Sequence, residues 1–348
     1  MDRIEATDED RRRFYGEINP FHLAPMWEKI HELISPEPRP RARAHLWRYR
    51  EVRPHLLRAA AMISQKDAER RTLMLENPAL RGEARISDAL YAGLQLIMPG
   101  EVAAPHRHTP SAMRMVFESD NAYSSVAGER CDMRPGDLIL NQSWLWHGHA
   151  HQGAGPHISM TCLDTPIVRF FGAVFGEPPV EDFPKGLPDG DGLARYGASM
   201  LPMGYRPEGK VSPLSRYPYE RTREALDRLV RNGPLDPCHG VKLEYINPVD
   251  GGPVLPTLSA FMQLLPAGFR ALPYQTTASF VYAAIEGRGR TRVGAQTLEW
   301  EKHDIFVVPA WQLHWHEADE ESVLYSFSDR GVQAKLGLLR ERRGQEAA

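Results

Sequence analysis

The segment LQLIMPGEVAAPHRHTPSAMRMVFE (94–118) reappears in altered form as MQLLPAGFRALPYQTTASFVYAAIE (262–286), and PGDLILNQSWLWH (135–147) reappears as KHDIFVVPAWQLH (302–314). A repeat of this size at a nearly constant offset means two copies of one structural unit. Within each copy, short stretches rich in β-branched and aromatic residues alternate with Pro-Gly and Gly turns, the texture of antiparallel strands. Strands of that length and spacing close into a small barrel or jelly roll, which manages the exposed sheet edges. The repeat therefore predicts a mainly β chain built from two such barrels.

The flanking sequence has a different period. PFHLAPMWEKIHELI carries apolar residues at helical spacing, and KDAERRTLMLENP does the same before Pro78. The predicted division is an N-terminal helical segment (1–85), a first barrel (86–175), a linker (176–250), a second barrel (251–330) and a closing helix (331–348). The linker is rich in Pro and Gly, with one helix in PYERTREALDRLVRNG. The basic run RPRARAHLWRYR (39–50) reads as a solvated helix face pairing with nearby acids.

Composition narrows the function classes. A net charge of −3 gives no global pull towards nucleic acid or an anionic membrane, and no run of eighteen apolar residues is present. The charged start MDRIEATDEDRRRFYGE has no apolar core of a secretory signal. Cys131, Cys162 and Cys238 form no CxxC pair and suit a reducing compartment, so the expected location is cytoplasmic.

The first copy holds the chemistry. Residues two apart on a strand share a face, so His106 and His108 point the same way. A third imidazole from a neighbouring strand would complete a facial set of three nitrogens with open positions opposite; His147, His149 and His151 in HGHAH compete for that place. Arg114, six residues beyond His108, shares their inward face on a regular strand. A buried arginine needs an anion, either a substrate carboxylate held bidentately or an internal acid, Glu118 or Asp137. In the second copy Tyr274 and Thr276 replace His106 and His108, leaving His314 alone of the set. That copy reads as structural, with His314 and His316 as ordinary barrel residues.

The spacing of Gly100, His106 and His108, then Gly136 and His147, resembles the two motifs of the cupin superfamily, and the doubled unit resembles a bicupin. The motif register favours His147 as third ligand, with His149 as a supporting or substrate-contacting residue and His151 in a loop. A wider resemblance, carried by AERRTLMLENPALRG (68–82), LYAGLQLIMPGEVAAPHRHTPSAMR (90–114), GERCDMRPGDLIL, WLWHGH, LDTPIVRFF and FSDRGVQAKLGLLRE, is to the gentisate, salicylate and 1-hydroxy-2-naphthoate 1,2-dioxygenases. It implies a homotetrameric enzyme with one Fe(II) per chain. Such an enzyme inserts both atoms of O2 between the ring carbons bearing the carboxylate and the hydroxyl of a small aromatic hydroxy acid. Carried over residue by residue, Arg70, Gln95 and Arg114 would contact substrate or oxygen, Gln95 or His149 would orient or protonate the oxygen, and Tyr91 and Gly93 would shape the pocket floor. The alternatives are a helix-surface salt bridge for Arg70 and core packing for Tyr91.

Two features bear on substrate and metal. No glutamate follows His108 as a fourth ligand, so three neutral imidazoles leave a divalent ion with its full charge, suited to a chelating carboxylate and phenolate. Three histidines also suit catalytic zinc. Thr161 stands where gentisate-type members carry an aspartate, which favours a 5-substituted salicylate such as 5-nitrosalicylate over gentisate. The rival classes are a sugar- or effector-binding cupin without chemistry and a zinc or manganese isomerase or decarboxylase.

Overall fold

The computed structural model describes residues 6–178, 180, 186–198, 200–205 and 211–344. The chain forms two compact units, one ending at Arg39 and one beginning at Pro40. The first holds α1 (Asp8–Ile18) and α2 (Met26–Leu33). Thr7 starts α1 with a reciprocal cap: its hydroxyl accepts the Asp10 N–H at 3.2 Å, and the Asp10 carboxylate accepts the Thr7 N–H at 3.0 Å.

The second unit opens with β1 (His45–Trp47), α3 (Tyr49–Met62), α4 (Gln65–Ala68) and β2 (Thr72–Met74). The first barrel follows as β3 (Tyr91–Ile97), β4 (Val102–His108), β5 (Ala112–Glu118), β6 (Ala122–Val126), β7 (Glu129–Met133), β8 (Leu138–Asn141), β9 (His147–His151) and β10 (His157–Leu163). Next come α5 (Thr165–Phe170), β11 (Gly176–Glu177), α6 (Asp191–Tyr196), β12 (Arg216–Tyr217) and α7 (Tyr219–Asn232). The second barrel comprises β13 (Val241–Glu244), β14 (Ser259–Leu265), β15 (Tyr274–Thr276), β16 (Phe280–Glu286), β17 (Arg288–Val293), β18 (Gln296–Glu301), β19 (Ile305–Val308), β20 (His314–Ala318) and β21 (Ser322–Ser328). The chain continues with α8 (Arg330–Lys335) and β22 (Glu341–Arg343).

Each barrel is a jelly roll of two antiparallel sheets. In the first, the sheet β12-β8-β5-β10-β3-β2 faces β11-β4-β9-β6-β7; in the second, β1-β19-β16-β21-β14-β13 faces β18-β17-β20-β15-β22. The two copies interlock through their edges. β1 precedes the first barrel in sequence but pairs with β19 of the second, while β12, from the linker, takes the equivalent place on β8. Both edges are thereby covered.

Strand alternation decides what each sheet presents to each side. Along β5, Met113, Met115 and Phe117 join Met262, Val281, Ala283, Tyr325 and Phe327 in one buried cluster between the six-stranded sheets. Each fully buried side chain of this kind stabilises by roughly 1.5–3 kcal/mol. Leu94, Leu96, Met160 and Cys162 belong to the same cluster. Arg114, Gln95 and Thr161, at the intervening positions, therefore face the interior of the first barrel. The interior of the second barrel is filled instead by Phe261, Tyr274, Phe280, Tyr282, Trp300 and Phe306.

Three expectations are corrected. Residues 66–78 do not form a helix: α4 stops at Ala68, Glu69 takes φ +49°, and β2 adds to the edge of β3, with Thr72 opposite Gln95. Sheet pairing outweighs helical periodicity over so short a run. The closing helix is only α8; Gly337 at φ +70° ends that turn of chain, and β22 pairs with β15, while 345–348 lie outside the described residues. The basic run 39–50 is not a helix face either. His45–Trp47 form β1, although Arg48 and Arg50 do pair with acids, Asp304 and Glu301. No helix among the described residues is long and apolar enough to cross a membrane.

Candidate metal centre

β4 carries His106 and His108, and β9 carries His147 directly opposite His106 in the ladder. The ring centroids are 4.4 Å apart for His106–His147, 4.9 Å for His108–His147 and 5.0 Å for His106–His108. One ring nitrogen from each lies within 4.8 Å of the others. The Nδ1 of His108 is 2.7 Å from the Pro110 carbonyl and that of His147 is 2.9 Å from the Leu145 carbonyl. These carbonyls accept the Nδ1 protons and leave the Nε2 lone pairs free. His147 Nε2 is buried with no hydrogen-bond partner. An orphaned imidazole lone pair within a set of three is what a divalent cation would satisfy. Burial, with help from the Arg70 charge, pushes His106 down to about 3, and burial also lowers His108 and His147. All three stay neutral, the form that ligates.

Arg114 belongs to the opposite wall. β4 ends at His108, so the expected continuous strand from His108 to Arg114 is broken by a turn, and Arg114 reaches the cavity from β5 in the facing sheet. Its side chain is buried and its partners among the described residues are neutral: Nε donates to Asn141 Oδ1 at 3.0 Å, and Nη1 donates to Thr161 Oγ1 at 2.9 Å and to Gln95 Oε1. The proposed internal acids are engaged elsewhere. Glu118 accepts both Arg53 donors at 2.7 and 2.8 Å, and Asp137 accepts Arg216 Nε at 2.8 Å. The salt-bridge alternative for Arg114 is thereby overturned. Burial without an acid lowers its affinity for the proton, so the charged form awaits an anion.

Arg70 is not on a helix surface. It lies between α4 and β2, and its Nη2 donates to the Ala104 carbonyl at 2.7 Å and contacts His106 Nδ1. Tyr91, Gly93 and Gln95 share the inward face of β3. A Cβ on Gly93 would lie 2.7 Å from Thr72 Cγ2 and 3.1 Å from the Tyr91 hydroxyl, so no larger residue fits there unless its neighbours move. Tyr91 lies outside the buried core clusters and its hydroxyl sits beside that glycine.

His149 is fully buried, its ring centroid 6.3 Å from that of His147, and neither ring nitrogen has a partner. Gln95 Nε2 is likewise unpartnered. Buried polar atoms left without partners on these inward-facing side chains are what a missing polar ligand would satisfy. His151 is not in a loop; it ends β9, is buried, and contacts the Gly155 carbonyl through Nε2. In the second barrel, His314 Nδ1 meets the Gln312 carbonyl at 3.0 Å and His316 Nδ1 meets Thr291 Oγ1 at 2.8 Å, as fits structural residues.

Sequence reasoning missed Asn141, which holds Arg114, and Ser124, to which the Asn141 amide donates at 3.4 Å. A signal existed in the repeat. Asn141 and Arg114 correspond to Val308 and Tyr282, so both change in the copy that lost its histidines.

Residues 93–163 match the model of the cupin domain. Over 339 residues the chain is 46% identical to gentisate 1,2-dioxygenase 1 of Aquipseudomonas alcaligenes, covering 97% of this chain and 98% of that protein. It is 34% identical to 5-aminosalicylate 1,2-dioxygenase of a Comamonas species, covering 97% and 90%. The fold matches salicylate 1,2-dioxygenase from Pseudoaminobacter salicylatoxidans, solved as an adduct with gentisate, with a TM-score of 0.88, 28% identity and coverage of 99% and 96%. With three histidines on one wall, an arginine hydrogen-bonded to neutral side chains on the other and relatives of this kind along its whole length, the chain belongs to the cupin ring-cleaving 1,2-dioxygenases, the family of the gentisate and salicylate enzymes.

Proposed function

We propose that the substrate is a 2-hydroxybenzoate bearing a hydrogen-bonding group at carbon 5, with gentisate (2,5-dihydroxybenzoate) first, and that Fe(II), one per chain, is held by His106, His108 and His147. The observation that carries this reading is Arg114, a buried guanidinium with three neutral partners on the wall opposite the imidazoles. A substrate carboxylate supplies the missing charge at Nη2, the guanidinium nitrogen not used by Asn141, Gln95 or Thr161. Arg70 adds a second cation with no carboxylate partner among the described residues, so the cavity favours a carboxylate together with an ionised ortho-hydroxyl.

Bound Fe(II) would supply Lewis acidity towards the phenol oxygen and one-electron chemistry towards O2. The chain's own residues bind and orient. Arg114 fixes the carboxylate end, Gln95 and Thr161 fix Arg114, and the absent side chain at Gly93 lets Thr72 and the Tyr91 hydroxyl pack closely against β3. Neutral His149 and the free Gln95 amide offer proton donors or acceptors to oxygen on the substrate. Ring cleavage then conserves every atom: one ring C–C bond breaks, between the carbons bearing the carboxylate and the hydroxyl, and both new oxygens come from O2.

The preference for gentisate is supported by relatives named for gentisate and 5-aminosalicylate, both with an electron-donating group at carbon 5. Thr161 weighs little against gentisate, because its hydroxyl oxygen accepts from Arg114 Nη1 and so belongs to the carboxylate end of the site. One observation favours a second reading, 5-nitrosalicylate: Gln95, Thr161 and Asn141 are neutral, so none of these partners of Arg114 offers a carboxylate to a 5-hydroxyl. Three unpaired, buried cysteines support a reducing, cytoplasmic setting. Assembly as a homotetramer, expected from the family, is part of this reading and is checked by sedimentation velocity.

Oxygen uptake by iron-loaded and zinc-loaded protein against gentisate, 5-aminosalicylate, salicylate and 5-nitrosalicylate tests the proposal. The highest kcat/KM is expected for gentisate with iron, and none with zinc. A clear preference for 5-nitrosalicylate would overturn the substrate assignment, and uptake with zinc alone would overturn the metal.

A further inference from the structure

The second barrel keeps only His314 of the three imidazoles but has a cavity at the corresponding end. Tyr274 stands where His106 stands in the first barrel, paired with His314 as His106 is paired with His147. Beside it lies a cavity of about 310 Å3 lined by Lys242, Phe261, Tyr274 and Phe280 and also by two carboxylates, Glu244 and Glu341, with Arg330, Arg343 and His239.

Lys242 is the unusual member. It sits opposite Gln263 on β13, between Val241 and Leu243, which pack on the cluster between the barrels, so its side chain turns into the second barrel. The ammonium lies 4.5 Å from the centroid of Phe280, 5.0 Å from Phe261 and 5.4 Å from Tyr282. Ring faces attract it, but no carboxylate lies within 4 Å of it among the described residues. The acids nearby are engaged or exposed. Glu341 accepts Arg330 Nη1 at 2.6 Å and the Tyr274 hydroxyl, Asp236 pairs with Arg343, and Glu244 is exposed on the same strand. Desolvation among the rings pushes the Lys242 ammonium down to about 7, a penalty that an anion beside it would reverse.

We propose that this cavity is a second, non-catalytic ligand site for a small aromatic carboxylate, with the carboxylate on Lys242 and the ring among Phe261, Tyr274 and Phe280. One unpaired cation calls for a single negative charge. Aromatic walls and a volume far larger than a lone ion call for a flat apolar body. The assignment stands on the second barrel alone and does not depend on which substrate the first barrel takes.

Equilibrium dialysis of benzoate against the iron-loaded, full-length protein tests it. Two benzoates per chain are expected, one at each barrel. Lys242→Met should remove one of them while leaving first-barrel turnover unchanged, and Lys242→Arg, which keeps the charge, should retain both. Unchanged turnover shows that the Met variant is folded. Arg114→Met should remove the other benzoate; if only this variant fails to lower the count, the reading of the first barrel is at fault and the second site stands. A Lys242→Met protein that binds as many benzoates per chain as the native one overturns the proposal.

Discussion

Asn141 Oδ1 accepts the Nε–H of Arg114 at 3.0 Å, from the adjacent strand of the same sheet. The contact fixes the plane of a guanidinium whose Nη1 donates to the neutral oxygens of Gln95 and Thr161. Asn141→Val, the residue found at the equivalent place in the second barrel, leaves one donor of a buried cation unpaired, at a cost of about 1.5–3 kcal/mol. KM should rise about 10- to 100-fold with a smaller change in kcat and full metal content. An unaltered KM in a less stable protein would make Asn141 a purely structural residue.

Arg114→Lys should damage substrate binding far more than folding, because lysine cannot keep the bonds to Asn141, Gln95 and Thr161 and also offer a further donor to the carboxylate. A buried arginine–carboxylate contact of this kind is worth roughly 2–4 kcal/mol, so KM should rise about 30- to 1000-fold. Steady-state kinetics beside a thermal melt separates this outcome from loss of a structural ion pair.

His106→Ala, His108→Ala and His147→Ala should each abolish metal retention and turnover, since two imidazoles leave the site short of a ligand. His151→Ala has a different expected effect. Its side chain is buried against the Gly155 carbonyl at the end of β9, so the variant should keep its metal and lose about 1–2 kcal/mol of stability. Metal analysis and denaturant titration of the four variants distinguish the two roles. Stoichiometric metal in His147→Ala would refute the ligand set.

Asp164 gives the fold a pH dependence. Its carboxylate accepts the Ser111 N–H at 2.7 Å and the Thr257 hydroxyl, and burial pushes it up to about 6. The folded state therefore holds a proton more tightly than the unfolded chain. The stability this contributes is complete below about pH 4 and disappears as pH rises through 6. Between pH 5 and 7 the native protein should lose about 1 kcal/mol from this group, and Asp164→Asn should lose none of it. Denaturant midpoints of both proteins at the two pH values provide the measurement; parallel changes would show that Asp164 does not carry the effect.

Much of this was legible from local pattern. A period of two along HRH put His106 and His108 on one face, and the motif register selected His147 over His149 and His151. The doubled unit implied two barrels, and the change to Tyr274 and Thr276 showed that the second copy lacks the pair of histidines at those places. These features depend on spacing within one strand or on comparison of two copies, both of which the linear order preserves.

What local order does not contain is which strands become neighbours. Residues 66–78 have a helical period, yet Thr72–Met74 become a strand because β3 offers an edge with unpaired backbone groups. His45–Trp47 cap a barrel more than two hundred residues away in sequence for the same reason. Arg114 faces the histidines only because two sheets close on each other, and its dependence on Asn141, Gln95 and Thr161 joins three strands that sequence order separates. The chain's alternation determined which side chains turn inward; closure of the barrel decided which of them meet, since the pairing energy that selects neighbours comes from long-range backbone hydrogen bonds and shared apolar burial rather than from any single segment.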